Sequence, residues 1–128
     1  MPLSTRRDFF STGASLLAAN TVLAQSSSLT AREVIERIRK NIGVPWRAET
    51  VDNFKDGSNP DAPLKGIATT MVATFDLLKR AAAANRNLIV VHEPTFYNHP
   101  DDPKDFVNAP MFLLKRNFIA KNDLSVFR

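Results

Sequence analysis

The 128-residue sequence contains no cysteine. That excludes a disulfide framework, a thiolate zinc site and a cysteine nucleophile. Glycine is scarce as well, four residues against eight prolines, so the loops are fixed rather than flexible. No glycine-rich loop is present to cradle phosphates, and nothing resembles a nucleophile elbow. Runs of like charge are also missing, although the net charge is +4. The densest basic stretch, Arg37-Ile38-Arg39-Lys40, sits beside Glu33 and Glu36 on a predicted helix. It reads as a solvated helix face rather than a nucleic-acid footprint, which would interleave clustered Lys and Arg with aromatics. What remains, 44% hydrophobic and 23% charged, is the composition of one soluble globular domain.

The first 24 residues read as an address. Arg6-Arg7 is followed by Asp8-Phe9-Phe10 and then by an uncharged, mostly small or apolar run from Ser11 to Leu23. This is the twin-arginine export pattern. Val22-Leu23-Ala24 gives compact residues where a signal peptidase reads, predicting cleavage before Gln25. The run is shorter than the roughly 20 apolar residues of a stable span. The expectation is therefore a periplasmic protein, residues 25–128, with no membrane span after cleavage and no nucleic-acid partner.

In the mature part, Thr30-Ala31-Arg32-Glu33 forms a capping box. Val34, Ile35, Ile38 and Ile42 follow at helical spacing, and Gly43 supplies a left-handed stop. Residues 44–63 carry turn chemistry at Asp56-Gly57-Ser58-Asn59-Pro60, with room for a short strand over 49–54. An extended segment over 64–71 then leads into a helix over 72–84, with Met71, Phe75, Leu78 and Ala82 on one face and Asn85 closing it. Leu88-Ile89-Val90-Val91 is an unalternating apolar run, the mark of a strand buried on both faces of a parallel sheet. A loop rich in Pro and Asp follows, then a third helix marked by Met111, Leu114, Lys115 and Phe118, and a last strand over 124–128. Helix, strand, helix, strand, helix, strand is an α/β pattern with a parallel or mixed sheet and flanking helices. A chain this short buries only about 60–65% of its unfolded surface. With helices on one face and a strand at the very end, the expectation is a truncated domain or one completed by another chain.

One constellation carries chemistry. His92-Glu93-Pro94 stands at the carboxyl end of the buried strand, where open parallel sheets bind ligands. His92 offers a neutral imidazole nitrogen and Glu93 a carboxylate, a mixed set suited to Zn, Fe, Mn or Ni. The same pair also reads as a hydrogen-bonded surface pair. His99, Asp101 and Asp102 could add ligands, though His-Pro-Asp-Asp more readily makes a capped turn. Thr69 and Thr70, at a strand-to-helix junction, suit structural capping better than anion binding.

Taken together, Gly66-Ile67-Ala68-Thr69-Thr70, the helix containing Thr74-Phe75-Asp76-Leu77-Leu78, and Asn87-Leu88-Ile89-Val90-Val91-His92-Glu93-Pro94-Thr95-Phe96-Tyr97 carry a family likeness. Over roughly residues 29–128 the sequence resembles the amino-terminal half of the NIF-three-like (NIF3-like) family, dinuclear-metal-centre proteins often labelled GTP cyclohydrolase type 2 homologues. The resemblance implies that His92 falls on the first metal-ligating histidine. Glu93 takes the place of the second, where the family has His-His-Pro. The family's other ligands lie beyond this segment, so the implied dinuclear site is incomplete here. Also implied are a homo-oligomer and a hydrolase acting on an unknown small-molecule substrate, or else a non-catalytic metal-binding or assembly module, or an inactive fragment.

Overall fold

The computed structural model describes residues 28–128. The twin-arginine segment, 1–24, lies outside the described residues. Helix α1 spans Ala31–Asn41, strand β1 Ile67–Thr70, helix α2 Phe75–Ala83 and strand β2 Leu88–Val91. A 3₁₀ turn at Pro103–Asp105 precedes helix α3, Pro110–Lys121, and strand β3, Ser125–Phe127. No helix among the described residues is long and apolar enough to cross a membrane.

The capping box forms as the sequence predicts. Thr30 Oγ1 accepts from Glu33 N at 3.2 Å, and Thr30 N donates to Glu33 Oε2 at 2.7 Å. Gly43, at φ +77°, takes the left-handed position just past the helix end. The other two helices stop without glycine. Asn85 at φ 54° and Asp123 at φ 50° adopt the same conformation, which short polar side chains tolerate best after glycine.

The sheet is parallel throughout, in the order β1-β2-β3, so β2 is central. Its residues point alternately to two packed faces. Ile89, Val91 and Val126 join Leu78 and Ala81 of α2 and Ile119 of α3 in one buried cluster. Leu88 and Phe127 join Ala31 and Ile35 of α1 in another. Helices thus cover both faces, not one, which is why β2 is an uninterrupted apolar run.

Three local expectations change. First, the helix expected from Val72 starts at Phe75, because Thr74 Oγ1 accepts from Leu77 N at 3.1 Å and makes Thr74 the cap. Met71 consequently lies outside the helix, 61% exposed. Second, the buried positions of α3 are Phe112 and Ile119, while Met111 and Leu114 are exposed, a rotation of the expected face by about one residue. Third, no strand forms over 49–54. Instead Phe54 makes an isolated antiparallel bridge to Phe127, and the segment after it lies along the outer edge of β3. Lys55 N donates to Val126 O at 2.8 Å, Asn59 N to Leu124 O at 3.0 Å, and Val126 N to Ser58 Oγ at 3.0 Å. Irregular chain therefore satisfies an edge that would otherwise be open.

Asn87, buried just before β2, ties the approach to β1 in place. Its Oδ1 accepts from Lys65 N at 2.7 Å and its Nδ2 donates to Pro63 O at 2.9 Å. Its own carbonyl accepts from Ser125 N at 2.7 Å. One residue thus links the entrances of all three strands.

Candidate functional site

At the carboxyl end of β2 the backbone turns out of the sheet. Glu93 N donates to Met71 O at 2.9 Å, joining the exits of β2 and β1. Pro94 cannot continue a ladder, so the strand ends there. His92 and Glu93 are left side by side, with His92 Nδ1 3.4 Å from Glu93 Oε1 and both side chains open to solvent. The His92 carbonyl accepts from Arg128 Nε at 3.1 Å, so the exit of β3 fixes the backbone that presents the imidazole.

The neighbouring candidates are turned to structural work. Arg128 donates to the His99 carbonyl, and its Nη2 lies 3.2 Å from His99 Nδ1. A guanidinium only donates, so Nδ1 is the acceptor in that contact. Asp101 is buried in a left-handed conformation. Its two carboxylate oxygens each accept at 2.8 Å from the amides of Thr95 and Phe96, closing the loop 95–101. Asp102 caps the 3₁₀ turn, accepting from Lys104 N at 3.0 Å. The Lys104 N–H, and then its ammonium, hold the Asp102 carboxyl below the usual carboxylate range. Thr70 Oγ1 donates to Val72 O at 3.2 Å, a local turn bond.

Two lysines stand behind the loop, and the sequence singles out neither as a site residue. Lys55 is 4% exposed. Its ammonium donates to Val51 O at 2.7 Å and Asn53 Oδ1 at 3.0 Å, and lies 3.7 Å from Asp101. Lys115, half-buried on α3, donates to the Thr95 carbonyl. Burial pushes both ammonium groups below the usual lysine range, against the opposing pull of Asp101. The signal for Lys115 was its spacing: 112, 115 and 119 fall on one helix face, and its two apolar neighbours there are buried.

His92 and Glu93 suit a divalent cation of borderline hardness, one nitrogen and one carboxylate, both accessible. They supply two donors, half of a four-coordinate shell. Among the described residues no group of three or more His, Cys, Asp or Glu comes together. The remaining positions of such a shell fall to water or to donors beyond these residues.

No protein-family model matches the sequence, and no curated protein is similar to it. Solved structures are similar in fold. A Bacillus cereus protein related to NIF3 superposes with a TM-score of 0.59 at 16% identity, over 80% of this chain and 27% of that one. The Staphylococcus aureus hypothetical protein SA1388 gives 0.58 at 18% identity, over 78% and 32%. Reduced HcgD from Methanocaldococcus jannaschii gives 0.58 at 20% identity, over 77% and 38%. The chain thus spans about a third of the length of each, and its α/β fold is that of part of a NIF3-related protein.

Proposed function

We propose that this chain is an exported NIF3-like protein that binds a divalent metal ion (Zn, Fe, Mn or Ni) through His92 and Glu93. The observation that carries the reading is position. An imidazole and a carboxylate meet at the carboxyl end of the central strand of a parallel sheet, where such folds place their ligands. When bound, a divalent ion supplies Lewis acidity and lowers the pKa of water. For their part, His92 would hold the ion through a neutral ring nitrogen and Glu93 through its carboxylate. Arg128 holds the His92 backbone, and Pro94 keeps Glu93 extended. The residues fit an ion as a half-site, completed by donors from outside them, including a second copy in a homo-oligomer.

The reaction this reading implies is metal-dependent hydrolysis of a small substrate, which needs a second, closely spaced ion; the alternative is metal binding without turnover. Equilibrium dialysis of Zn²⁺ and Mn²⁺ against the full chain checks the site. His92→Ala and Glu93→Ala should each weaken uptake by about tenfold or more, the scale seen when a metal site or its support is disturbed. Unchanged uptake in both variants would remove the pair from the site. Metal-dependent cleavage of generic phosphoesters or esters distinguishes hydrolysis from the alternative.

Export rests on Arg6-Arg7 and the uncharged run behind them. Replacing the pair with Lys-Lys should leave the precursor in the cytoplasm on cell fractionation. Undiminished recovery from the periplasm would contradict the twin-arginine route.

A further inference from the structure

The loop after β2 and the first turns of α3 line a pocket of about 200 Å³. It is lined by Phe96, Tyr97, Met111, Phe112 and Lys115. Its walls are aromatic: the Phe96 and Phe112 centroids are 4.7 Å apart. Phe106 supports the wall from outside the lining, 4.8 Å from Tyr97 and 5.9 Å from Phe112. The one charged lining group is Lys115, with its Nζ 5.8 Å from the Phe96 centroid. An ammonium has three donors, and among the described residues its acceptor is the Thr95 carbonyl. Lys115 makes no ion pair among the described residues, and the carboxylate that acts on it, Asp101, is paired with Lys55 at 3.7 Å. A pocket with an aromatic wall, a spare donor and an ammonium without an ion pair selects an anion with a flat apolar body. Its volume is below the ~300–1,000 Å³ of sites for drug-sized ligands, so it has room for about one ring.

We propose that this pocket binds a single-ring aromatic carboxylate, the ring against Phe96 and Tyr97 and the carboxylate on the Lys115 ammonium. The site requires neither His92 nor a metal ion and stands apart from the metal reading.

The test is an amide NMR titration of the full chain in chelator-containing buffer, with benzoate as probe and benzamide and acetate as controls. Benzoate should give saturable shifts at Phe96, Tyr97, Met111 and Lys115. Benzamide lacks the charge and acetate lacks the ring, so each should bind about tenfold or more weakly. Lys115→Met should lose affinity to the same extent. Met111→Trp, which keeps the ammonium and fills the space from an exposed position, should lose it too. That second variant and the benzamide control decide the matter even if Lys115→Met does not fold. Equal binding of benzoate and benzamide, shifts mapping elsewhere, or wild-type affinity in Met111→Trp would overturn the proposal.

Discussion

Asp101→Asn should destabilise the protein by about 3–5 kcal/mol, the range for removing one member of a buried ion pair. Asparagine keeps the shape and tolerates the left-handed backbone at φ 54°, so the loss reports charge and hydrogen bonding rather than strain. The variant can offer one amide oxygen where Thr95 N and Phe96 N now each have a carboxylate oxygen. It also takes from Lys55 its ion-pair partner, leaving that ammonium to the opposing charge of Arg128, and removes the carboxylate that acts on Lys115. The pH dependence separates these causes. Unfolded lysine titrates near 10.4, and both lysines already sit below the usual range when folded. Between the folded and unfolded values the unfolded chain binds more protons, so stability rises with pH across that window. Losing Asp101 removes the group that raises both values, widening the window downward. The deficit of Asp101→Asn should therefore shrink as pH climbs from neutrality toward about 10. A deficit independent of pH would mean that the lost amide contacts, not the paired charges, account for it. Urea unfolding followed by the fluorescence of Trp46, the one tryptophan, measures both.

Ile89→Ala should cost about 3–5 kcal/mol. Ile89 is completely buried in the central strand, against the cluster that includes Leu78, Val126 and Ile119. Truncation loses transfer energy and leaves a cavity that strands paired on both sides cannot close, on top of the lower β-propensity of alanine. For a domain of this size each kcal/mol lowers the melting midpoint by ~4–8 °C. Met71→Ala is the informative contrast. If Met71 packed on a helix face its loss would be comparable, but at 61% exposure the change should stay within about 0.5 kcal/mol. A large loss at Met71 would contradict the boundary of α2.

The parts of the fold legible in the sequence are those specified by neighbours in the chain. Thr30 with Glu33 is a reciprocal cap three residues apart, and it forms as read. Leu88 to Val91 announce a doubly covered strand by composition alone, and the strand has those bounds. What was not legible depends on distant partners. Residues 53–59 have no period of their own because their backbone bonds go to β3, nearly 70 residues away. Lys115 lies on the packed side of α3 as expected, but with Phe112 and Ile119 rather than with Met111 and Leu114, because both sets recur at helical spacing. Only the folded loop shows that Asp101 and the Thr95 carbonyl receive that charge.

The candidate site divides in the same way. His92 and Glu93 are adjacent in sequence and adjacent in space. His99, Asp101 and Asp102 could add ligands but read more readily as a capped turn, and folding commits them to Arg128, to two amides and to a turn cap. Lys55 and Arg128, which position the loop, come from segments that give no hint of it. A donor pair can be read from spacing, whereas the groups that hold it in place are chosen by topology.

Because the protein has two histidines, ring NMR resolves the central claim with two spin systems. Long-range ¹H–¹⁵N spectra of the histidine rings, recorded during a Zn²⁺ titration and assigned with His92→Ala, show which imidazole takes the metal. The account predicts a saturable shift of one His92 ring nitrogen. The His99 ring, with Nδ1 held by Arg128, should stay in place. A His92 ring unmoved at saturating zinc, or movement of His99 alone, would contradict it.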